Sequence, residues 1–155
     1  MKRFHVNISV SDLAASTRFY STLFGTEPGV VKDDYVKWML DDPRINFSLS
    51  ASSGGNGINH VGIQADTMPE LEQIQQRLAQ AGMQTYDQPQ AECCYANSSK
   101  TWIRDPDNVA WETFVTHSAS TVYGDDRAPS DLRPASGKQN AACCWSDDDQ
   151  CCATG

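Results

Sequence analysis

The stretch His60-Val61-Gly62-Ile63-Gln64-Ala65 repeats the theme of His5-Val6-Asn7-Ile8-Ser9-Val10. Histidine falls on histidine and apolar residue on apolar residue, 55 positions apart. A chain that carries one unit twice must bury the same kind of apolar face twice, which confines it to folds built from two matching modules. Phe4, Val6, Ile8 and Val10 alternate with His5, Asn7 and Ser9, the pattern of a half-buried strand. Asp12 then caps a helix reaching Phe24, with Leu13, Tyr20, Leu23 and Phe24 on or near one stripe and Gly25 at its end. Strands are predicted near 29–32, 35–40 and 45–50, with Asp41-Asp42-Pro43 as a turn.

The second copy continues with Thr67-Met68-Pro69-Glu70, a capping box with proline in the first turn. Met68, Leu71, Ile74, Leu78 and Ala81 form the inward stripe of its helix, and Gly82 closes it. Three strands follow, near 84–87, 102–104 and 109–115, and 92–99 reads as a loop over the site. Both copies therefore read βαβββ. The fold class is α+β, with module one over about 1–51 and module two over about 58–117 of a domain spanning 1–121. Ser52-Ser53-Gly54-Gly55-Asn56-Gly57 is the linker between them. Beyond Thr121 the periodicity is lost, and 122–155, rich in Asp, Ser, Ala and Gly, reads as a flexible tail.

A net charge of -8 and the lack of any basic stripe argue against nucleic acid or an anionic membrane as partner. No run of about eighteen apolar residues suggests a membrane span, and the N-terminus has no signal-peptide core. The expected setting is the cytoplasm and the expected partner a small ligand. All six cysteines fall in adjacent pairs, Cys93-Cys94, Cys143-Cys144 and Cys151-Cys152. Adjacent cysteines close a disulfide only through a strained ring, and this spacing matches neither a secreted disulfide framework nor a zinc ribbon. Free thiols for soft-metal or metalloid chemistry are the better reading. The tail pairs carry less weight, because a disordered segment tolerates them without a role.

On each opening strand the histidine lies on the polar face, so two modules curling side by side bring His5 and His60 into one cup. Glu112 interrupts the apolar strand 109–115 and shares its face with Ala110 and Phe114. A carboxylate among such neighbours is costly unless it is paired, hydrated or bound to a cation. A single strand histidine is commonplace, but two at equivalent places in a repeat, with a carboxylate beside them, point to a metal. The set His5, His60 and Glu112 leaves coordination positions open, as in non-haem Fe(II) oxygenases; Zn, Mn, Ni or Co fit the same ligands. His117, at the end of the last strand, reads as a surface residue.

The doubled βαβββ plan with His5, His60 and Glu112 resembles the vicinal oxygen chelate superfamily of glyoxalases, extradiol dioxygenases, fosfomycin-resistance and bleomycin-binding proteins. Glu92-Cys93-Cys94-Tyr95-Ala96, then Lys100-Thr101-Trp102, then Asp105-Pro106-Asp107 with Trp111-Glu112, are similar to its carbon–arsenic lyases and their cadmium-induced relatives. The resemblance spans about Met1 to Thr116. It implies a curved sheet around Fe(II), and a dioxygenase that uses O₂ to cleave the carbon–arsenic bond of trivalent organoarsenicals, methyl or aryl, to arsenite. Cys93 and Cys94 would bind the arsenic, with Tyr95, Lys100 and Trp102 as pocket residues. In the wider superfamily a fourth ligand, often Glu, comes from the last strand of module one. Here that strand, 45–50, offers only Asn and Ser on its polar face, which favours a three-ligand iron site. Two rivals stand beside this: a thiol protein that sequesters cadmium or arsenite without turnover, and a glutathione-linked enzyme of the glyoxalase or fosfomycin-resistance type. Whether the cup forms within one chain or between exchanged modules is open at this stage, as is the oligomeric state.

Overall fold

The computed structural model describes residues 1–51, 55–124 and 127–135. Ser52, Ser53 and Gly54 of the linker, and Cys143, Cys144, Cys151 and Cys152 of the tail, lie outside the described residues. The first module runs β1 (Arg3–Val10), α1 (Leu13–Phe24), β2 (Val30–Val31), β3 (Tyr35–Asp41) and β4 (Arg44–Ala51). The second runs β5 (Gly57–Gln64), α2 (Met68–Gln80), β6 (Tyr86–Cys93), β7 (Ala96–Arg104) and β8 (Ala110–Ala119). All eight strands form one mixed sheet in the order β2-β3-β4-β1-β5-β8-β7-β6. Its symmetry is that of the repeat: β1 pairs parallel with β4, β5 pairs parallel with β8, and β1 and β5 meet antiparallel at the centre. The two histidine strands are therefore neighbours within one chain.

One face of the sheet is apolar and carries the helices. Val36, Trp38, Leu40, Phe47 and Leu49 form a buried cluster against which Leu13, Tyr20 and Phe24 of α1 pack, with Val6, Ile8 and Val10 beside them. The Asp12 carboxylate accepts from Ala15 N and Gly25 adopts φ 66°, so both ends of α1 form as the sequence predicts. Leu23 departs from the predicted stripe and is 63% exposed. α2 buries Leu71 and Ile74 against Ala65 and Val115, whereas Ala81 falls at its frayed end and is exposed. The predicted capping box does not close on Thr67. Thr67 makes no side-chain cap bond, but the Glu70 carboxylate accepts from the backbone N–H of Asp66.

The largest departure lies between 86 and 104. The segment predicted as a loop is a β-hairpin: β6 and β7 pair from Tyr86↔Trp102 to Cys93↔Ala96, leaving Cys94-Tyr95 as a two-residue turn. Residues 122–124 and 127–135, expected to belong to a free tail, lie against the sheet. Gly124 bridges to Cys93, Pro134 bridges to Arg104, and Leu132 is 5% exposed in a cluster with Trp102 and Ala110. No helix among the described residues is long and apolar enough to cross a membrane.

Candidate metal centre and thiol pair

The polar face of the sheet curls into a cup. A single transverse row crosses it, because Asn46 pairs with His5, His5 with Gly62, Gly62 with Glu112 and Glu112 with Trp102. His60 stands two residues along β5. Gly62 contributes no side chain between His5 and Glu112, and a Cβ there would collide with the backbone carbonyl of Glu112. The register of β8 is set by the turn before it. The Asp105 carboxylate accepts from Asp107 N at 3.0 Å, Val109 N at 2.8 Å and Trp111 Nε1 at 3.3 Å, which fixes the strand so that Glu112 faces inward.

His5, His60 and Glu112 are all buried and their ligand atoms converge. The two Nε2 atoms are 3.1 Å apart, and the Glu112 Oε2 atom lies 3.7 Å from His5 and 3.6 Å from His60. A triangle with these edges has a point about 2 Å from all three corners, the bond length a divalent metal makes to imidazole nitrogen and carboxylate oxygen. The tautomers agree. His5 Nδ1 lies 3.0 Å from the Asn46 carbonyl, which only accepts, so Nδ1 donates and Nε2 presents its lone pair to the cup. His60 Nδ1 lies 3.1 Å from Asn59 Oδ1, which orients its ring in the same sense. Burial holds His5 down at about 4, opposed by the Glu112 carboxylate and assisted by His60, so the imidazole is neutral at pH 7. The buried Asn46 Oδ1 in the same lining has no hydrogen-bond partner. Three lone pairs aimed at one point, with an orphan acceptor beside them, form a donor set that fits a cation.

Lys100 Nζ donates to Glu112 Oε1 at 2.6 Å, both side chains being nearly fully buried. Burial pushes the Glu112 carboxyl up, but Lys100 foremost, with the two histidines, outweighs it and leaves the carboxyl below its ordinary value. Burial works against the charge on Lys100 as well, and Glu112, Cys93 and Cys94 more than restore it. Cys93 and Cys94 are free thiols that line the same cup as His5, Lys100 and Glu112. The hydrogen bond from Cys94 holds Cys93 below the usual thiol value, with Lys100 assisting against burial, and that bond together with burial pushes Cys94 far up. Cys93 is therefore the more acidic thiol of the pair.

Trp102 is buried, meets His60 edge-to-face at 5.1 Å, and donates from Nε1 to Gln88. Tyr95 does not enter the cup lining. Its hydroxyl donates to Asp34 at 2.6 Å and its ring stacks near Tyr35 and Tyr123. His117 is exposed and 2.9 Å from Ser99 Oγ. Residues that the sequence reading did not single out are Tyr35, Asn7 and Ser48 in the lining, and Gly62 beneath it. Gly62 had a legible signal: the repeat sets it against Asn7, on the polar face where a side chain was expected.

The model of the glyoxalase/bleomycin resistance protein/dioxygenase superfamily matches residues 2–113. The chain belongs to this superfamily. Among the superfamily's solved structures, the Mn(II)-bound glyoxalase from Novosphingobium aromaticivorans is 18% identical with a TM-score of 0.56, covering 83% of this chain and 44% of that one. An extradiol ring-cleaving dioxygenase from B. fuscum is 14% identical with a TM-score of 0.55, covering 74% of this chain and 32% of that one. These likenesses concern the fold. Sequence relatives are nearer: the "Probable trivalent organoarsenical cleaving enzyme" of Bacillus subtilis (strain 168) is 37% identical over 146 residues, 93% of this chain and 100% of that protein. The "Trivalent organoarsenical cleaving enzyme" of Bacillus sp. (strain MD1) is 44% identical over 119 residues, 75% of this chain and 74% of that protein. The "Cadmium-induced protein CadI" of Mycobacterium bovis is 30% identical over 125 residues, 80% of this chain and 82% of that protein.

Proposed function

We propose that this chain is a non-haem iron(II) dioxygenase that cleaves the carbon–arsenic bond of trivalent organoarsenicals such as methylarsenite, releasing arsenite. The observation that carries the reading is that the converging His5, His60 and Glu112 set adjoins a cup lined by His5, Glu112 and the vicinal thiols Cys93 and Cys94. The names of the Bacillus relatives support the substrate class. Free vicinal thiols also suit a reducing compartment such as the cytoplasm.

Trivalent arsenic is soft, so Cys93, the more acidic thiol, attacks it first, and its proton leaves with the displaced hydroxyl as water. Cys94 follows, its proton leaves with the second hydroxyl, and two waters are released as the arsenic becomes bound to both sulfurs. The methyl group is then the third substituent, held in the cup beside the metal ligands. His5 and His60 serve as neutral donors whose orientation Asn46 and Asn59 fix, and Glu112 is kept ionised by Lys100. Iron(II) bound by these three residues supplies dioxygen activation. Methylarsenite plus O₂ balances to arsenite plus formaldehyde, so no external reductant is required.

The test is anaerobic Fe(II) loading of the protein and its Cys93→Ser and Cys94→Ser variants, with the tail cysteines also replaced. Expected are one iron per chain in all three, and arsenite release on admitting O₂ only where both thiols remain. A sequestering thiol protein would bind methylarsenite and release nothing. A glutathione-linked enzyme would be indifferent to the two serines. Iron lost with either cysteine would show that the ligands are wrongly assigned.

A further inference from the structure

The Cys94-Tyr95 turn is strained in isolation. Cys94 has φ 57° and Tyr95 φ 61°, the left-handed conformations of a type I′ hairpin turn, which Asn-Gly adopts readily and bulky residues do not. Both residues are held from outside the hairpin. Cys94 N donates to Tyr123 O, Tyr95 N to Val122 O at 3.2 Å, and Ser120 N to Tyr95 O at 2.8 Å. Tyr123 also stacks edge-on with Tyr95 at 5.9 Å and with Tyr35, on the cup wall, at 6.0 Å. The strap lies so close at Gly124 that a Cβ there would overlap the Glu92 carbonyl and press on Cys93 Cα at 3.1 Å, and Gly124 itself has φ 70°.

We infer that the strap 120–124 is a clamp that holds the Cys94-Tyr95 turn in its left-handed form, so that both thiols face the metal ligands, and that Gly124 is its positioning residue. The hairpin sequence does not specify this turn by itself, since neither central residue has the backbone freedom the turn calls for. The three strap bonds supply what the turn residues lack. Without them the hairpin relaxes to a wider turn and Cys94 moves away from Cys93. Arsenic is then held by one sulfur at a time, and the advantage of a chelate is lost. The inference rests on the reading of Cys93 and Cys94 as arsenic ligands.

The test uses the full chain with Cys143, Cys144, Cys151 and Cys152 replaced by serine as parent, and compares Gly124→Ala. Two quantities are measured: amide hydrogen exchange at Cys94 and Tyr95, and affinity for phenylarsine oxide as a dithiol probe. In Gly124→Ala the two amides should exchange roughly ten-fold faster, the loss expected for about one hydrogen bond. Probe affinity should fall at least about ten-fold, while one Fe(II) per chain is retained. Adding Tyr95→Gly, which suits the second turn position, should restore affinity to within about three-fold of the parent. If Gly124→Ala does not accumulate, Ser120→Pro removes the donor to Tyr95 O and is read in the same way. Unchanged amide exchange, unchanged probe affinity, or a double variant as weak as Gly124→Ala would each overturn the inference. A parent that fails to bind the probe would refute the thiol reading instead, and the amide exchange would still decide whether the strap holds the turn.

Discussion

Replacing Lys100 by Met removes an ammonium and keeps most of its stem, leaving Glu112 buried at 3% exposure without its partner 2.6 Å away. Removing one member of a buried ion pair costs about 3–5 kcal/mol, because the remaining charge is uncompensated. For a chain of this size each kcal/mol corresponds to about 2–4 °C, so the Tm of the metal-free protein should fall by roughly 6–20 °C at pH 8. Glu112 escapes part of this by taking up a proton, so the loss should shrink as the pH is lowered to 6. A divalent metal at the triad replaces the missing positive charge, and with saturating metal the fall should be less than about half as large. Thermal unfolding followed by circular dichroism, with and without metal at both pH values, measures all three effects. A metal-free variant within about 2 °C of the parent, or equal losses with and without metal, would refute the account of Lys100 and Glu112 as a buried pair beside a cation site.

Gly62→Ala places a Cβ on the Glu112 carbonyl, so β5 and β8 must part at the metal row. Iron affinity measured by anaerobic titration should drop at least about ten-fold, and a variant that binds iron like the parent would remove Gly62 from the site's construction. Compared with a chain ending at Ala135, one ending at Thr121 loses buried Leu132 and the clamp over Cys94. The shorter form should be destabilised by at least about 2 kcal/mol in urea unfolding, and equal stability of the two would show that 122–135 adds nothing to the core. His5 titrates at about 4 when folded and near its ordinary 6.5 when unfolded, so the unfolded chain binds the proton first. Metal-free stability should therefore be unaffected above about pH 6.5 and decline by about 3 kcal/mol as the pH falls to about 4; His5→Gln should flatten that limb.

The doubling was legible because the repeat carries its own register: His5 and His60 recur at one phase of one strand pattern, and that phase defines the polar face. Glu112 was legible as a carboxylate set between Trp111 and Thr113 in an apolar run. The hairpin around Cys93 and Cys94 was not, because its turn has no glycine, asparagine or proline, and its conformation is imposed by residues 120–124, nearly thirty positions away. Those strap residues carried no periodicity, since they pair by isolated backbone bonds and a bridge at Gly124 without forming a strand. Lys100 lies in Ala96-Asn97-Ser98-Ser99-Lys100, where nothing in the pattern tells a lysine reaching into the cup from one reaching into solvent. Its role follows only from the pairing of β7 with β8, which puts Lys100 opposite Phe114 and one diagonal from Glu112. Leu23 and Ala81 were misplaced for simpler reasons: Leu23 lies about 100° round α1 from Phe24, which takes the core position, and Ala81 is the C-cap residue beyond the last turn of α2.

The central claim is that the metal ligands and the thiol pair of this cup act together on one arsenical with dioxygen. The most direct measurement is a single-turnover balance on Fe(II)-loaded protein given one equivalent of methylarsenite, with O₂ uptake, arsenite and formaldehyde quantified in the same sample. The account predicts one O₂ consumed for each arsenite and each formaldehyde formed, and none of the three changes in Cys93→Ser or Cys94→Ser. Methylarsenite bound in full with no O₂ consumed, or arsenite released at the same rate without oxygen, would contradict it.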